Sequence, residues 1–360
     1  MQNLNVGIVG CGYAGDIHIG SWRRAKGAKL VAVCDIDEAK AAETAKHWGL
    51  EHYTNLEEMC KKGQISVVSI VTPPTTHAQL AIQAMELGCD VLVEKPFTDT
   101  YENADAVIEC IKRTGRKLTV SHNRIFCAPW QRARSLMAAG DMGDITGMTL
   151  TMLTSHLDDQ ARDENHWAHR LKGGFFGESM PHLIYPFTSV LGNCQVKHVS
   201  ATKVGRLPWM PLDELAVTLV SDNGVLGSIY WHADATTQEH ITDIYGSKMS
   251  LKVNEFTYTL IKNKALFPEG SGALGNLLAR FRLNTRVVTQ TISSTIRSIL
   301  SVIRKRSAHQ VLPVVIEQFM DSIRYAKPLP VEPAEAREVV RLTGEICDEV
   351  ERIKAQGQLK

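Results

Sequence analysis

A glycine-rich hexapeptide near the N-terminus has the spacing of a phosphate-binding turn. Gly10, Gly12 and Gly15 follow an apolar run that predicts a strand, and a helical pattern begins directly after them. The first glycine permits a tight turn, the second lets the backbone approach a pyrophosphate, and the third allows close packing of the helix on the strand. The N-terminus of that helix favours the diphosphate charge. The other residues of the turn, predicted to contact the same ligand, are Cys11, Tyr13 and Ala14.

An acidic residue ends the second predicted strand. Asp35 stands about twenty residues after Gly15, at the position where a carboxylate accepts hydrogen bonds from the adenosine ribose. A carboxylate there also repels a 2′-phosphate. The succession of strand, glycines, helix, strand and Asp35 therefore predicts that the chain binds NAD rather than NADP.

Three other residues have side chains suited to proton transfer. Glu178 and His182 are four residues apart, which places them on one face of a helix. The carboxylate can then bond one imidazole nitrogen and fix the tautomer of the other. Lys95 follows a predicted parallel strand and precedes Pro96, so it lies at the carboxyl edge of the sheet, where ligands bind. Oxidation of a secondary alcohol with NAD requires a base of this kind to accept the hydroxyl proton.

The elements that position these residues change character along the chain. Short apolar runs alternate with helical patterns up to about residue 123, which predicts βαβ crossovers and a doubly wound parallel sheet of the Rossmann type. The predicted strands of residues 1–123 are Val6–Val9, Leu30–Cys34, Val67–Val71, Val91–Val93 and Leu118–Val120. The predicted helices are Glu38–His47, Thr76–Leu87 and Glu102–Thr114.

Residues 124–332 are predicted to form a second, α+β domain with a large and mostly antiparallel sheet. Its predicted strands are Ile145–Leu153, Val196–Val204, Leu215–Ser221 and Val225–His232. Asp222-Asn223-Gly224 joins the last two, and Asn-Gly is a strong hairpin signal. An amphipathic helix is predicted over Pro333–Lys354.

Composition excludes several classes of protein. The 360 residues suffice for two domains, and 44% hydrophobic with 22% charged residues is a globular composition. A net charge of +1 gives no global field to attract nucleic acid. The eight scattered cysteines contain no C-x-x-C pair, so we expect no metal site and a reduced, cytoplasmic protein. We also find no secretory signal and no apolar run of about 18 residues or more.

Several motifs in order give the chain a resemblance to the Gfo/Idh/MocA family of dehydrogenases. After the glycine turn these are Thr72-Pro73-Pro74 with His77, Val93-Glu94-Lys95-Pro96, Asn123-Arg124 with Phe126 and Pro129, and Gly140 through Gly143 to Ile145. Trp167 with Arg170, and Gly173-Gly174 on to His182, resemble a further family region. Two positions depart from the family pattern, because Glu178 and Tyr185 each stand where an aspartate is usual. The resemblance covers nearly the whole chain.

The resemblance implies a role for each of these residues. His182 would accept the proton, Lys95 would transfer a second proton or position the hydroxyl, and Glu178 would take the place of the orienting carboxylate. Further cofactor contacts are implied for Thr72, Pro73, His77, Glu94, Lys95 and Asn123. Substrate contacts are implied for Lys95, Asn123, Arg124, His156, Trp167, Arg170, His182 and Tyr185. The resemblance also favours a cis Lys95–Pro96 bond, a final helix over 333–360 that returns to the Rossmann domain, and a homo-oligomer, either dimer or tetramer.

Together these features predict an NAD-dependent dehydrogenase that acts on a secondary hydroxyl of a sugar, cyclitol or nucleotide-sugar. The predicted donors and one large aromatic side chain suit a ring that presents hydroxyls. Two alternatives use the same motifs. One is a hydrolase or epimerase that retains NAD and forms a transient ketone, and the other is a catalytically silent NAD-binding regulator.

Residues 270–316 have seven Lys plus Arg and no acidic residue, with apolar residues at helical spacing. This pattern predicts one long basic amphipathic helix, or two that break near Asn284. Three interpretations remain open: an extra helix that packs on the domain or on a neighbouring subunit, a surface that lies on anionic lipid, or arginines that bind an anionic substrate.

Overall fold

We analysed a computed structural model that describes residues 3–264, 272–303 and 311–357. The chain divides into two compact units, one of residues 1–123 with 311–344 and one of residues 124–310 with 345–360. Each unit contains one β-sheet. In the part of the chain that the structure describes, no helix is both long and apolar enough to span a bilayer.

The first unit is built on a parallel six-stranded sheet of order β3-β2-β1-β4-β5-β6. The strands are β1 (Leu4–Val9), β2 (Ala28–Cys34), β3 (Glu51–Tyr53), β4 (Val67–Ile70), β5 (Asp90–Val93) and β6 (Leu118–Val120). The helices between them are α1 (Tyr13–Trp22), α2 (Glu38–Trp48), α3 (Leu56–Lys62), α4 (His77–Glu86) and α5 (Tyr101–Thr114). This order reverses direction between β1 and β4, which is the switch point where doubly wound sheets bind ligands.

Local sequence explains where these elements begin and end. The Asp37 side chain accepts hydrogen bonds from the amides of Ala39 and Lys40 and so caps the start of α2. The same helix ends at Gly49, whose φ of 67° is left-handed. The central strands β1, β4 and β5 are buried, with Val6, Ile8 and Val67 fully inaccessible. Central parallel strands are covered by helices on both faces, and that burial explains their continuous apolar runs.

The second unit contains a seven-stranded sheet of order β13-β12-β11-β7-β10-β9-β8. Its strands are β7 (Ile145–Ser155), β8 (Cys194–Thr202), β9 (Glu214–Ser221), β10 (Leu226–Ala235), β11 (Glu239–Gly246), β12 (Met249–Asn254) and β13 (Thr259–Lys264). Its helices are α6 (Ala128–Ala138), α7 (Asp159–Arg162), α8 (Phe175–Leu191) and α9 (Ala273–Ile303). All neighbouring strands run antiparallel except β7 and β10, which are parallel.

Two helices complete the described chain, α10 (Leu312–Tyr325) and α11 (Pro333–Gly357). Residues 311–332 were predicted to belong to the second domain, but α10 packs on α1 and belongs to the first unit. Residues 333–344 of α11 also belong to the first unit, where Arg337 pairs with Asp105, whereas residues from 345 onward belong to the second.

The predicted fold class is confirmed in both units. The parallel sheet, the mostly antiparallel sheet and the hairpin at Asp222–Gly224 are present, with Leu226 opposite Val220. The predicted basic helix is continuous through Asn284 and ends at Ile303. Further along the predicted 270–316 segment, the residues from Leu312 onward belong to α10. Residues 270–271 and 304–310 lie outside the described residues.

Candidate active site

The glycine turn connects β1 to α1. Gly10 has a φ of 108°, and a Cβ there would meet the carbonyl oxygen of Val71 at 2.6 Å. A Cβ on Gly15 would meet the carbonyl oxygen of Gly10 at 2.4 Å. These two glycines are therefore required by the packing of the protein itself. A Cβ on Gly12, by contrast, would meet nothing within 4 Å.

Open space at Gly12 is what a bound diphosphate requires. Gly12 is the N-cap of α1 and has no side chain that could cap the helix, so the first amides of α1 face that space. Tyr13 and Ile36 beside the turn are 86% and 96% exposed. Both side chains are therefore available to pack on an adenosine ring. The residues present therefore fit the adenosine and diphosphate groups of NAD.

Asp35 is joined to the turn by its carboxylate. Its Oδ2 accepts a hydrogen bond from the Cys11 amide (2.8 Å), and its Oδ1 accepts one from the Asp37 amide (3.0 Å). A carboxylate has about four acceptor sites, so two remain for ribose hydroxyls. Burial, with the nearby Asp35 charge, raises the pKa of Cys11 to about 11, so this thiol stays protonated at neutral pH.

Lys95 follows β5 and is held through its own backbone. The Glu94 carboxylate accepts a hydrogen bond from the Lys95 amide (2.9 Å) and one from His18 Nε2 (2.9 Å). His18 Nδ1 lies 2.8 Å from Ser69 Oγ. Burial alone would raise the pKa of Glu94, but these hydrogen bonds hold it below its ordinary value. The anionic Glu94 thus fixes the backbone that carries the Lys95 side chain, and the Lys95–Pro96 bond is cis.

His77 links two loops at the same edge. Its Nδ1 lies 2.9 Å from the carbonyl oxygen of Pro96, and its Nε2 lies 2.8 Å from that of Thr72. The imidazole is buried, and burial lowers its pKa. The resemblance implied a direct cofactor contact for His77, whereas its ring atoms bond the backbone on both sides. Thr72 and Pro73 are left at the surface of this loop.

Asn123 follows β6 and ends the first unit. Its amide donates to the carbonyl oxygen of Ser121 (2.9 Å), and its side chain is half-buried. The preceding His122 is fully buried, and burial lowers its pKa to about 3, so it stays neutral beside Glu94 and Lys95. His122 is not among the predicted site residues.

The second unit contains a polar cavity of about 320 Å³. Three of the predicted site residues line it: Arg124, Glu178 and His182. The rest of its lining is Met152, Thr154, Asp158, Asp159, Gln160, Phe175, Ser179, Gln238 and His240. The cavity collects these side chains from α8, from the end of β7 and from the start of β11.

One helix face provides the acid–base residues of this cavity. Phe175, Glu178 and His182 lie three or four residues apart on α8, so they share a face. Ser179 Oγ donates a hydrogen bond to Glu178 Oε2 (2.7 Å). The helix begins after Gly173, whose φ is 77° and where a Cβ would meet Cys347 Sγ at 2.7 Å. The direct bond from Glu178 to His182 stays a prediction.

A buried network forms another wall of the cavity. Arg124 Nη1 donates a hydrogen bond to His240 Nδ1, and both side chains lie 3.9 Å from Glu255 Oε2. Trp130 Nε1 donates to Glu255 Oε1 (2.8 Å). Burial alone would raise the pKa of Glu255, but His240, Arg124 and Trp130 hold it below its ordinary value. Burial and the Arg124 charge lower the pKa of His240, so its Nδ1 accepts.

Six residues predicted to contact substrate do not line this cavity. Lys95 and Asn123 belong to the first unit. His156 is half-buried, and its Nδ1 bonds the carbonyl oxygen of Ala235 (3.0 Å). Tyr185 is buried within α8. Trp167 and Arg170 belong to a short 3-10 turn and are exposed. Their roles stay predictions.

Several polar residues of the cavity were missed by the sequence analysis. Asp158, Asp159 and Gln160 follow β7 directly, and Gln238 and His240 surround the start of β11. His240 pairs with Met152 in the antiparallel β7–β11 ladder, which brings it beside the residues after β7. The sequence signal that could have found Asp158, Asp159 and Gln160 was the end of β7, because polar residues just past a strand often line a site. The pairing of β11 with β7 had no local signal.

Comparison with known proteins agrees with this architecture. Residues 4–122 match the family described as "Oxidoreductase family, NAD-binding Rossmann fold", and residues 130–252 match the GFO/IDH/MocA C-terminal domain. Oxidoreductase P35 of Formosa agariphila is 26% identical over 269 residues, which cover 73% of this chain and 83% of that protein.

Two further similarities extend the comparison. Inositol 2-dehydrogenase of Rubrobacter xylanophilus is 31% identical over 144 residues, 39% of this chain and 42% of that protein. Several other curated relatives are likewise matched over less than half of their length. The structure of UDP-N-acetylglucosamine 3-dehydrogenase GnnA from Acidithiobacillus ferrooxidans matches with a TM-score of 0.73 at 19% identity, covering 98% of this chain and 100% of that one. The chain belongs to the Gfo/Idh/MocA family of NAD-binding oxidoreductases.

Proposed function

We propose that the protein oxidises a secondary hydroxyl of a sugar, cyclitol or nucleotide-sugar with NAD, or reduces the ketone in reverse. The single observation that carries the proposal is the cavity of the second unit, where His182 and Glu178 on α8 lie among hydrogen-bonding side chains such as Arg124 and Gln238. A cavity with so many donors and acceptors suits a substrate with several hydroxyls.

The first unit holds the cofactor in this proposal. The amides at the start of α1 would bind the diphosphate, Asp35 would accept hydrogen bonds from the ribose hydroxyls, and Ile36 and Tyr13 would pack on the adenosine. When bound, NAD supplies the hydride acceptor for the carbinol carbon. The chain itself must then remove the hydroxyl proton and neutralise the developing charge on oxygen.

His182 accepts the hydroxyl proton at an imidazole nitrogen as the carbon loses its hydride. The Glu178 carboxylate stabilises the resulting imidazolium and orients the ring, and Ser179 orients the carboxylate through its 2.7 Å hydrogen bond. For Lys95 of the first unit, the proposal keeps the predicted role of transferring a second proton or positioning the hydroxyl. Glu178 is longer than the aspartate that is usual in the family, but it performs the same electrostatic function.

The substrate class rests on similarity as well as on chemistry. The relatives described above include an inositol 2-dehydrogenase and, by fold, a UDP-N-acetylglucosamine 3-dehydrogenase. Both names describe oxidation of one ring hydroxyl among several. The acidic residues Asp158 and Asp159 and the amides of Gln160 and Gln238 can bind neighbouring hydroxyls of such a ring.

A substrate screen tests the proposal. Purified full-length protein with NAD is incubated with inositols, sugars and UDP-sugars, and NADH formation is followed by absorbance. With an active substrate, we expect His182→Ala and Lys95→Ala each to lower kcat by about 100- to 10,000-fold, the usual contribution of general acid–base catalysis. Binding of NAD by His182→Ala should equal that of the wild type.

Matched controls are His198→Ala and Lys112→Ala, exposed residues of the second and first units. Both controls should retain full turnover. Undiminished activity in Lys95→Ala or His182→Ala would remove that residue from the mechanism. NADH that stays bound in stoichiometric amount while product forms would indicate the NAD-retaining alternative, and NAD binding without turnover of any substrate would indicate the regulator.

A further inference from the structure

The long helix α9 packs on the second unit through a side that contains several polar residues. It contacts the edge strand β13, and Gln290 pairs with the backbone of Lys262 there. Lys262 N donates to Gln290 Oε1 (3.0 Å), and Gln290 Nε2 donates to the Lys262 carbonyl oxygen (3.2 Å). Ala279 and Ser294 on the same side are buried. The side that faces the protein therefore combines small and polar residues with the half-buried Leu283 and Val287.

Most apolar residues of α9 lie on the opposite side. Seven of them fall within about 60° of one line along the helix at 3.6 residues per turn. These seven are between 52% and 69% exposed: Leu274, Leu277, Phe281, Val288, Ile292, Ile296 and Ile299. We call these seven the apolar stripe. Contiguous exposed apolar surface of this kind marks an interaction site.

The charged residues beside the apolar stripe indicate what kind of partner covers it. Helix α9 contains Arg280, Arg282, Arg286 and Arg297 and no acidic residue. The first three are exposed and lie beside the stripe rather than within it. Basic residues that flank an apolar face are typical of helices that lie in the interface of an anionic membrane. There the apolar side chains enter the lipid and the guanidinium groups reach the phosphates.

A second copy of the chain is the competing occupant, and the charges disfavour it. A two-fold pair uses the same patch on both copies, so the arginines beside one stripe would lie beside those of the other. Neither helix has a carboxylate to pair with them. Like charges at a desolvated contact oppose association, whereas anionic lipid supplies the complementary charge.

We propose that α9 binds the protein to the surface of an anionic bilayer through the apolar stripe and Arg280, Arg282 and Arg286. The helix of 31 residues would lie along the surface over about 46 Å, at 1.5 Å per residue. This binding adds to the proposed dehydrogenase activity and does not depend on it.

Co-sedimentation with vesicles tests the proposal. Full-length protein is mixed with vesicles of phosphatidylcholine alone or of equal parts phosphatidylcholine and phosphatidylglycerol. We expect binding to the anionic vesicles at low salt and much less at high salt or on the neutral vesicles. The triple variant Arg280→Gln, Arg282→Gln, Arg286→Gln should lower the partition coefficient about a hundredfold, because each basic residue contributes about fivefold near an anionic surface.

The control variant removes three positive charges from the first unit, the same number as the arginine variant removes from α9. Lys46→Gln, Lys61→Gln and Lys62→Gln together should change the partition coefficient by less than about threefold, because these lysines lie outside α9. The double variant Phe281→Ser, Ile292→Ser should lower it about tenfold or more, whereas Val204→Ser, an exposed apolar position elsewhere, should leave it unchanged. Circular dichroism and NAD binding of each variant report folding.

Three outcomes would overturn the proposal. The first is wild-type protein that remains in the supernatant with anionic vesicles at low salt. The second is an equal loss for the lysine and arginine triple variants. The third is a wild-type oligomer that becomes monomeric in Phe281→Ser, Ile292→Ser by sedimentation equilibrium, because it would assign the apolar stripe to a second copy.

Discussion

The two units build their sites in different ways. In the first unit four of the predicted site residues lie within three residues of a strand end: Gly10 after β1, Asp35 after β2, Lys95 after β5 and Asn123 after β6. In the second unit the cavity is lined from segments that lie far apart in the chain and meet through antiparallel pairing. Parallel strands present their carboxyl ends at one edge, so local position in the sequence determines position in space. In antiparallel strands, the position of a residue in the sequence determines its position in space only once the register of the strands is known.

The residues that hold the two sites in place differ in the same way, because they are local in the first unit and distant in sequence in the second. Lys95 depends on its neighbour Glu94 and on a histidine from α1. Arg124 and His240 are 116 residues apart, and both depend on the buried Glu255 from beyond β12. Three predictions test how far this contrast between a local and a long-range site extends.

The largest effect is expected for the glycines of the first unit. Gly15→Ala brings a methyl group to 2.4 Å from the Gly10 carbonyl oxygen, so the backbone of the turn must move. We expect it to lower the free energy of unfolding by about 3 kcal/mol, the upper range for overpacking, and to abolish NAD binding. Denaturant unfolding and fluorescence titration with NADH measure the two effects.

Gly12→Ala is the matched control for that change. A Cβ there enters open space, so stability should change by less than about 0.5 kcal/mol. The methyl group occupies the diphosphate position, and the Kd for NADH should rise at least about tenfold. Equal NADH affinity in Gly12→Ala and wild type would show that the diphosphate does not lie against this turn.

A smaller effect is expected for the support of the second site. Glu255→Gln removes the charge that faces Arg124 and His240 but keeps an acceptor for Trp130. We expect a loss of about 1.5–3 kcal/mol of stability, as for one hydrogen bond to a charged group. The KM for substrate should rise about tenfold, because both cavity residues lose their orientation, while the Kd for NADH stays unchanged.

The pH dependence of this effect has a definite sign. The pKa of Glu255 is lowered in the folded protein, so its stabilisation is fully present above the ordinary carboxyl pKa of about 4.3 and is lost as pH falls below that value. The stability difference between wild type and Glu255→Gln should be constant from neutral pH to about pH 5 and shrink at lower pH. A difference that grows on acidification would contradict an ionised Glu255.

Sequence patterns predict most of the first unit because the carboxyl ends of its parallel strands meet at one edge of the sheet. The five predicted strands all occur, with ends that differ by at most two residues. Strand β3 was missed because Glu51 and His52 are exposed and only Tyr53 is partly buried, so it has no apolar run. In the second unit β11, β12 and β13 were not predicted, and the parallel pairing of β7 with β10 has no signal in either strand.

The site follows the same division. Asp35 and Lys95 could be predicted because their positions depend on one strand end each. His77 and Glu94 were assigned by motif to the cofactor, yet their polar atoms bond neighbouring groups of the protein, and a motif cannot separate a contact from its support. Asp159 and Gln238 were missed because only the register of β7 with β11 brings their segments together.

The smallest expected effect belongs to one of those missed residues. Asp159 lines the cavity and is exposed within α7, so its carboxylate can accept a hydrogen bond from a substrate hydroxyl without supporting the fold. Asp159→Ala should raise the KM about tenfold, the value of one hydrogen bond to a charged group, with kcat and stability unchanged. Initial rates with the best substrate of the screen measure this change.

The control is Asp163→Ala, an exposed aspartate four residues further along that does not line the cavity. Its KM should equal that of the wild type. If both variants raise KM equally, the effect comes from the net charge of this segment rather than from a contact. An unchanged KM in Asp159→Ala would mean that substrate binds away from this wall, and the long-range part of the site would then reduce to Glu178, His182 and the Arg124–His240 pair.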